Sequence, residues 1–185
     1  MSSNQCQPLC FEDVNVGDRW VSPARTLTEA DIVNFAGMTG DYNPLHVDRE
    51  FARQSSYGQP IAHGLLGISW MAGLASHSPW MQTAALVRIV EWQFQGPIFI
   101  GDTVHVQTEV LSKQGKVRRR GVIAWGKKLV NQAGEIVQQG TLETLVVLRT
   151  RAAARRTSNS SATSTTPAPM NGLQSAPEPV SLDSN

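Results

Sequence analysis

The sequence is poor in cysteine, in long apolar runs and in net charge, and each shortage excludes a class of protein. Two cysteines among 185 residues, Cys6 and Cys10, cannot build a disulfide framework or a four-ligand metal site. No stretch of about 18 residues is free of polar breaks, so no membrane-spanning helix is expected. The formal net charge of +1 gives no general attraction to nucleic acid or to an anionic membrane surface.

The start of the chain also lacks a targeting signal. Residues 1–10 have neither the basic start nor the apolar run of a signal peptide. We therefore expect a soluble protein of a reducing compartment, the cytoplasm. No residue pattern calls for a metal or a cofactor, and we predict neither.

Composition divides the chain into three parts. Residues 1–10 are polar and predict a flexible N-terminus, while residues 11–150 have the length and apolar content of one domain with a sizeable core. Residues 151–185 consist largely of Ser, Thr, Ala, Pro and Asn, with large apolar residues only scattered among them. Such a segment cannot bury a core, so we predict a disordered tail.

Hydrophobic spacing predicts an α+β fold. Thr28 has the spacing of a helix N-cap with an acid three residues on, which indicates a short helix over 28–38, and Asp48 can cap another over 49–54. Residues 62–76 are apolar on all sides, a pattern typical of a long helix buried on all sides.

Beyond residue 83 the apolar pattern changes to period two, which predicts strands. A short strand candidate also precedes the first helix, over 19–26. Four long strands joined by short turns, one of them at Gln114-Gly115, favour an antiparallel meander that wraps the buried helix. The long strands are expected around residues 86–95, 104–113, 117–130 and 136–148.

The loop at 39–48 carries the side chains best suited to acid–base chemistry. It places the carboxylate of Asp41, the carboxamide of Asn43 and the imidazole of His46 within six residues. Pro44 fixes its own φ, has no N–H and pushes the residue before it out of the α region. The stretch is therefore a shaped loop rather than an ordinary helix or a central strand, and such loops often hold catalytic residues.

The start of the long helix is the second candidate feature. Ala62-His63-Gly64 offers none of the usual capping side chains, so the N–H groups of the first turn need another acceptor. Helix N-termini favour anions, and at Gly64 no Cβ would block a close approach. We expect the Gly64 N–H to stabilise negative charge.

These two stretches resemble the signature of the MaoC-like dehydratases, a family that includes the (R)-specific enoyl-CoA hydratases. The resemblance lies in Gly-Asp-Tyr-Asn-Pro-Leu-His-Val-Asp at 40–48, in Gly-Gln-Pro-Ile-Ala-His-Gly at 58–64 and in the turn-rich link at 96–103. It covers roughly residues 11–148. It implies a hot-dog fold with the helix at 64–76 as the filling, and a homodimer whose acyl-CoA tunnels lie near the subunit interface.

The resemblance also implies an activity and residue roles. A member of this family would add water reversibly to a 2-enoyl-CoA, giving an (R)-3-hydroxyacyl-CoA, with the substrate presented by CoA or by an acyl-carrier protein. Asp41 and His46 would hold the water, either one acting as base, and Asn43 would orient the loop or the substrate. The Gly64 N–H would stabilise the thioester oxygen. We expect the substrate to be bound by His63, Ile61, Leu65 and Tyr57.

Each of these residues also has a structural interpretation. Asp41 can be an Asx-turn residue, His46 a hydrogen-bonded core histidine, Asn43 a turn former and His63 a packing residue. Two other functions stay open. A hot-dog thioesterase usually has an acidic residue on or near the central helix, but residues 64–76 contain no Asp or Glu. A non-catalytic acyl-CoA binding module would not need both Asp41 and His46.

Overall fold

A computed structural model describes residues 7–117 and 119–149. The predicted disordered tail at 151–185 lies outside the described residues, as do residues 1–6 of the predicted flexible N-terminus. Leu9, within that predicted segment, pairs in parallel with Met81, and its N–H donates to the Trp80 carbonyl at 2.7 Å. The N-terminal segment is therefore part of the fold from Leu9 onward, earlier than its composition predicts.

The described residues contain four α-helices and one short 3₁₀ helix. Thr28 caps the first α-helix with a capping box, as predicted, and Asp48 caps the third by accepting from the N–H groups of Glu50 and Phe51. No helix among the described residues is long and apolar enough to cross a membrane. The helices are the 3₁₀ helix Phe11–Asp13, α1 (Glu29–Thr39), α2 (Pro44–Val47), α3 (Arg49–Gln54) and α4 (Gly64–Leu74).

Six strands form one antiparallel sheet among the described residues. Its order is β1-β4-β5-β6-β3, with the short β2 also paired to β4. The predicted strand over 19–26 is two strands, because Pro23 separates β1 from β2. The strands are β1 (Arg19–Val21), β2 (Arg25–Thr26), β3 (Thr83–Phe94), β4 (Thr103–Val117), β5 (Arg120–Val130) and β6 (Ile136–Val147).

The predicted meander is correct for three of the four long strands and wrong for the other. β4, β5 and β6 follow one another as hairpins, but β3 pairs with β6 instead of with β4. The link between β3 and β4 is not a tight turn, since it includes Phe99, which pairs with Ile61 at the start of α4. The chain therefore leaves β3 at one edge of the sheet and re-enters at β4, so that β6 and β5 lie between these two strands.

The hairpin turn predicted at Gln114-Gly115 is also wrong. Both residues lie inside β4, where the register with β5 shifts between Gln114 and Lys116. A glycine in a strand often marks such a bulge rather than a turn. The chain reverses a few residues later, where Arg119 adopts a φ of +64°.

Helix α4 is shorter than predicted and is buried on one face. It packs Leu66, Gly67, Trp70 and Met71 against the sheet, while Leu65 on its other side is 63% exposed. The predicted burial on all sides is therefore not met within one chain, because the single sheet covers one side of the helix only. The buried face of α4 and the facing residues of the sheet form the core.

Candidate active site

The loop after α1 is shaped by a series of local hydrogen bonds. Gly40 ends α1 in the left-handed region at φ +77°, a conformation that favours glycine. Asp41 Oδ1 then accepts from the Asn43 N–H at 3.2 Å, and Asn43 Oδ1 accepts from the Leu45 N–H at 3.0 Å. Pro44 occupies the first turn of α2, where its missing N–H costs nothing. These turns place His46 on α2, a single helical turn inside the stretch predicted to be a loop, because Pro44 is compatible with the first position of a helix.

The fold brings Asp41 and His46 together with His63, the residue that precedes α4. One carboxylate oxygen and one nitrogen from each imidazole all lie within 4.8 Å of one another. The rings of His46 and His63 stack with their centroids 3.9 Å apart and their planes at 30°. Asp41 is exposed, His46 is half-buried and His63 is buried. The cluster therefore opens to solvent on the carboxylate side.

Backbone carbonyls fix the two imidazole rings. His46 Nδ1 lies 2.8 Å from the Ile61 carbonyl oxygen, and His63 Nε2 lies 2.9 Å from the Asp41 carbonyl oxygen. Because a carbonyl only accepts, each of these nitrogens carries the proton. The other nitrogen of each ring is then the acceptor: Nε2 in His46 and Nδ1 in His63. His63 Nδ1 is buried and has no hydrogen-bond partner among the described residues.

The first turn of α4 adjoins this cluster through His63. His63 is the N-cap residue, but its side chain does not bond to the helix. Its carbonyl accepts from the Leu66 N–H at 3.0 Å, whereas the N–H groups of Gly64 and Leu65 have no acceptor among the described residues. Uncapped N–H groups at a helix start carry a partial positive charge. They can therefore bind an oxygen that gains negative charge.

The structure separates the predicted site residues into two groups. Asp41, His46 and His63 meet, and Ile61 is buried and holds the His46 ring through its carbonyl. Leu65 and Tyr57 are 63% and 42% exposed. Among the described residues, the Tyr57 hydroxyl forms no hydrogen bond with the cluster. The role of Leu65 and Tyr57 in substrate binding stays a prediction, as does the predicted substrate contact of His63 and Ile61.

Asn43 and Gly64 each have an observed structural role. The Asn43 side-chain oxygen caps α2, which agrees with the structural interpretation of this residue and with a role in orienting the loop. A Cβ added to Gly64 would lie 2.9 Å from Cε1 of Phe94. A side chain at this position would therefore displace the half-exposed Phe94 ring, and the predicted role of Gly64 toward an oxyanion is a separate question.

Among the described residues, Asp41, His46 and His63 form the one set of three metal-type donors close enough to share an ion. One carboxylate and two imidazoles could hold a divalent cation. The same three donors are close enough together to surround a water molecule instead. We predict no metal, and the use of these donors to hold water stays a prediction.

An apolar cavity of about 440 Å³ lies under the C-terminal half of α4. Its lining includes Ile68 and Met71 from the helix, Leu142 and Trp125 from the sheet, and Lys127. Burial lowers the pKa of Lys127 to about 8, and its ammonium group donates to Thr108 Oγ1 at 2.9 Å. The cavity has the size and apolar lining of a pocket for an acyl chain.

Sequence reasoning does not identify Gln138 on β6 or Trp92 on β3, which meet near the start of α4. The buried side chain of Gln138 on β6 donates to the Gly64 carbonyl and accepts from the Trp92 indole N–H. A glutamine at an inward-facing strand position is the signal that could have identified Gln138, since buried polar side chains need specific partners.

Comparison with known proteins gives a consistent result. The family model described as the MaoC like domain matches residues 15–132. Protein MaoC from Klebsiella aerogenes is 38% identical over 109 residues, which cover 59% of this chain and 32% of that relative. An (R)-specific enoyl-CoA hydratase from Rhodospirillum rubrum is 31% identical over 140 residues, or 75% of this chain and 92% of the relative. The chain thus spans about a third of the first relative and nearly all of the second.

Solved structures agree on the fold. A MaoC-like dehydratase from Rhodospirillum rubrum superposes with a TM-score of 0.69 at 31% identity, covering 77% of this chain and 99% of that one. A Mycobacterium tuberculosis protein described as having a double hotdog fold gives a TM-score of 0.71 at 16% identity, covering 78% of this chain and 46% of its own. The predicted α+β hot-dog fold is confirmed.

Proposed function

The chain belongs to the family of MaoC-like domains, and from this premise we propose that it hydrates a 2-enoyl-CoA reversibly to an (R)-3-hydroxyacyl-CoA. Such an enzyme is a hydro-lyase. One observation carries the proposal: the carboxylate of Asp41 and the imidazole of His46 meet beside the uncapped start of α4. Relatives named as (R)-specific enoyl-CoA hydratases and as a 3-hydroxybutyryl-CoA dehydratase support the reaction class.

Asp41 and His46 hold the attacking water between them. The Ile61 carbonyl occupies Nδ1–H of His46, so Nε2 is the ring nitrogen that can accept a proton. The water oxygen bonds to C3 and its proton passes to the pair, and a proton from the pair is delivered to C2. The pair therefore ends the cycle in its starting protonation state. General acid–base groups of this kind contribute about 10²–10⁴-fold to the rate.

Charge on the thioester oxygen is the second requirement. Attack at C3 moves electrons through C2 onto that oxygen, which becomes an enolate until C2 is protonated. The unpartnered N–H groups of Gly64 and Leu65 are the donors we assign to it. Loss of one oxyanion donor typically costs about 3 kcal/mol of transition-state stabilisation.

The substrate is an acyl thioester of CoA or of an acyl-carrier protein. His63 and Ile61 support the catalytic pair from the side of α4, and Leu65 and Tyr57 are the exposed apolar residues assigned to the substrate. We place the enzyme in the cytoplasm and assign it no metal, no cofactor and no nucleic-acid or membrane partner.

We further propose that the enzyme is a homodimer. β3 is an edge strand, paired with β6 on one side only. An edge strand with exposed apolar side chains is a template for pairing with another chain, and a second copy gives a closed two-fold assembly. Its exposed apolar residues are Leu86, Val87, Ile89, Val90 and Phe94.

A thioesterase is the alternative function. It would need an acidic residue on or near the central helix, and α4 contains none. A purified sample incubated with crotonyl-CoA separates the functions, because hydration removes enoyl absorbance without releasing thiol, whereas a thioesterase releases free CoA. Binding without either change would indicate a non-catalytic acyl-CoA module.

A further inference from the structure

Gln138 is a buried glutamine whose side-chain amide forms two hydrogen bonds, one through its oxygen and one through its nitrogen. It is 2% exposed and lies on β6 beneath the start of α4. Its Oε1 accepts from Trp92 Nε1 at 3.1 Å, and its Nε2 donates to the Gly64 carbonyl oxygen at 3.1 Å. The glutamine thus connects β3, β6 and the first turn of α4.

These two partners leave the amide one orientation. An indole N–H only donates and a backbone carbonyl only accepts. The Gln138 oxygen must therefore face Trp92 and the nitrogen must face Gly64. In the flipped orientation the amide nitrogen would face the Trp92 N–H, donor against donor, and the amide oxygen would face the Gly64 carbonyl, acceptor against acceptor.

Two glycines bring the partners against Gln138. A Cβ added to Gly67 on α4 would lie 2.2 Å from Gln138 Nε2, so the amide of Gln138 packs in the space left by the missing side chain of Gly67. A Cβ added to Gly140 would lie 2.5 Å from Cε3 of the Trp92 ring, which packs over this glycine. The missing side chains of Gly67 and Gly140 therefore make room for the Gln138 amide and for the Trp92 ring that bonds to it.

The Gly64 carbonyl does not need Gln138 to be satisfied. In α-helical geometry this oxygen already accepts from the N–H four residues on, that of Ile68. The extra donor instead ties the first turn to the sheet, and it polarises the peptide that ends in the Leu65 N–H. That N–H and the Gly64 N–H are the two groups assigned to the thioester oxygen.

We propose that Gln138 is a positioning residue that acts through the Gly64 carbonyl to aim the free N–H groups of α4 at the thioester oxygen, with Trp92 fixing its orientation. The inference rests on the proposed hydratase function. It assigns Gln138 no contact with the substrate, so its effect should fall on the transition state and not on substrate binding.

The test compares two variants of the full 185-residue chain in crotonyl-CoA hydration. Gln138→Met keeps the approximate length of the side chain and Gln138→Leu is shorter and branched, and neither side chain has the amide oxygen that accepts from Trp92 or can donate to Gly64. Each should lower kcat by about 10- to 100-fold and leave KM within about threefold, since misaimed donors lose part of the 10²–10³-fold effect of a deleted one. Wild-type kcat in Gln138→Met would overturn the proposal.

Gln139→Met is the matched control. Gln139 is the next residue of β6 and lines a groove with Lys128 and Glu109 instead of facing α4. Its kcat should equal that of the wild type. A loss as large as that of Gln138→Met would show that any change in this part of β6 impairs the enzyme, and would overturn the specific role of Gln138.

Hydrogen exchange gives a second measure that needs no activity. Exchange of the hydrogen-bonded backbone amides in 66–68 should be several-fold faster in both Gln138 variants than in the wild type and in Gln139→Met. A wild type that fails to hydrate any enoyl-CoA would contradict the proposed function, while the exchange data would still test the hold on the first turn. Unchanged exchange, with or without a lower kcat, would overturn the positioning role.

Discussion

The imidazole rings of His46 and His63 stack with their centroids 3.9 Å apart and their planes 30° from parallel. His46 comes from the shaped loop and His63 from the residue before α4, so this contact joins the two stretches that carry the chemistry. Asp41 completes the connection, since its carbonyl accepts from His63 Nε2. The position of the carboxylate relative to His46 therefore depends on His63.

His63→Phe tests that dependence. A phenyl ring keeps the stack with His46 and the packing against Phe35, whose ring centroid lies 5.1 Å from that of His63, but it cannot donate to the Asp41 carbonyl. We expect kcat to fall about tenfold and the free energy of unfolding in urea to fall by about 1 kcal/mol, the usual net contribution of one hydrogen bond. His105→Phe, at a histidine on β4 that belongs to neither the cluster nor the cavity lining, is the control and should change neither. Wild-type values for both in His63→Phe would contradict this role.

Much of the candidate site could be predicted because its determinants are local. The capping residues Thr28 and Asp48 and the turn around Pro44 each depend on side chains within four positions, and all three lie where the pattern places them. The contact of Trp92 with Gln138 could not be predicted in this way. These residues are 46 positions apart and meet because β3 pairs with β6, whereas the alternating pattern favours β3 beside β4.

The exposure of one side of α4 could not be predicted from the sequence, for a different reason. An apolar helix indicates burial but does not say whether its own chain or a second copy covers each side. Leu65 is exposed because the single sheet faces the opposite side of the helix. The bulge at Gly115 was missed because a glycine after a glutamine fits a turn and a bulge equally well from local sequence.

Lys127→Met tests the effect of the buried ammonium on stability. Burial lowers the pKa of Lys127 from 10.5 to about 8, so the unfolded chain binds more protons than the folded one between these values, and stability contributed by this residue rises with pH across that window. From pH 7.5 to 9.5 the wild type should gain about 2 kcal/mol in the free energy of unfolding relative to Lys127→Met, a gain smaller than the roughly 3 kcal/mol of the full shift. Urea unfolding at both pH values measures it.

The control for this prediction is Lys128→Met, at the exposed neighbouring lysine. It should follow the wild-type dependence on pH. Parallel curves for the wild type and Lys127→Met would show that the ammonium is not destabilised by burial.

Val90→Lys tests the dimer. Val90 on β3 is 51% exposed in the single chain, and a lysine there would place a charge in the proposed interface. Size-exclusion chromatography with light scattering should show a dimer for the wild type and a monomer for the variant. Val21→Lys, on the opposite edge strand at 63% exposure, should stay dimeric. A dimeric Val90→Lys would place the interface elsewhere.

Truncation after Thr150 tests the predicted tail. Its composition offers no core, so removing residues 151–185 should leave kcat and the melting temperature of the domain nearly unchanged. Enoyl-CoA hydration and thermal unfolding of the shortened chain measure both. A fall of several degrees, or a large loss of kcat, would show that the tail contributes to the domain or to its site.

The most direct test of the catalytic pair is kcat/KM for the hydration of crotonyl-CoA by the wild type, Asp41→Asn and His46→Gln. Each substitution keeps the approximate shape of the side chain and removes its ability to exchange a proton at neutral pH. We expect losses of about 10²–10⁴-fold in each variant, with folding intact by circular dichroism. Near wild-type kcat/KM in either variant would contradict the assignment of the water to Asp41 and His46.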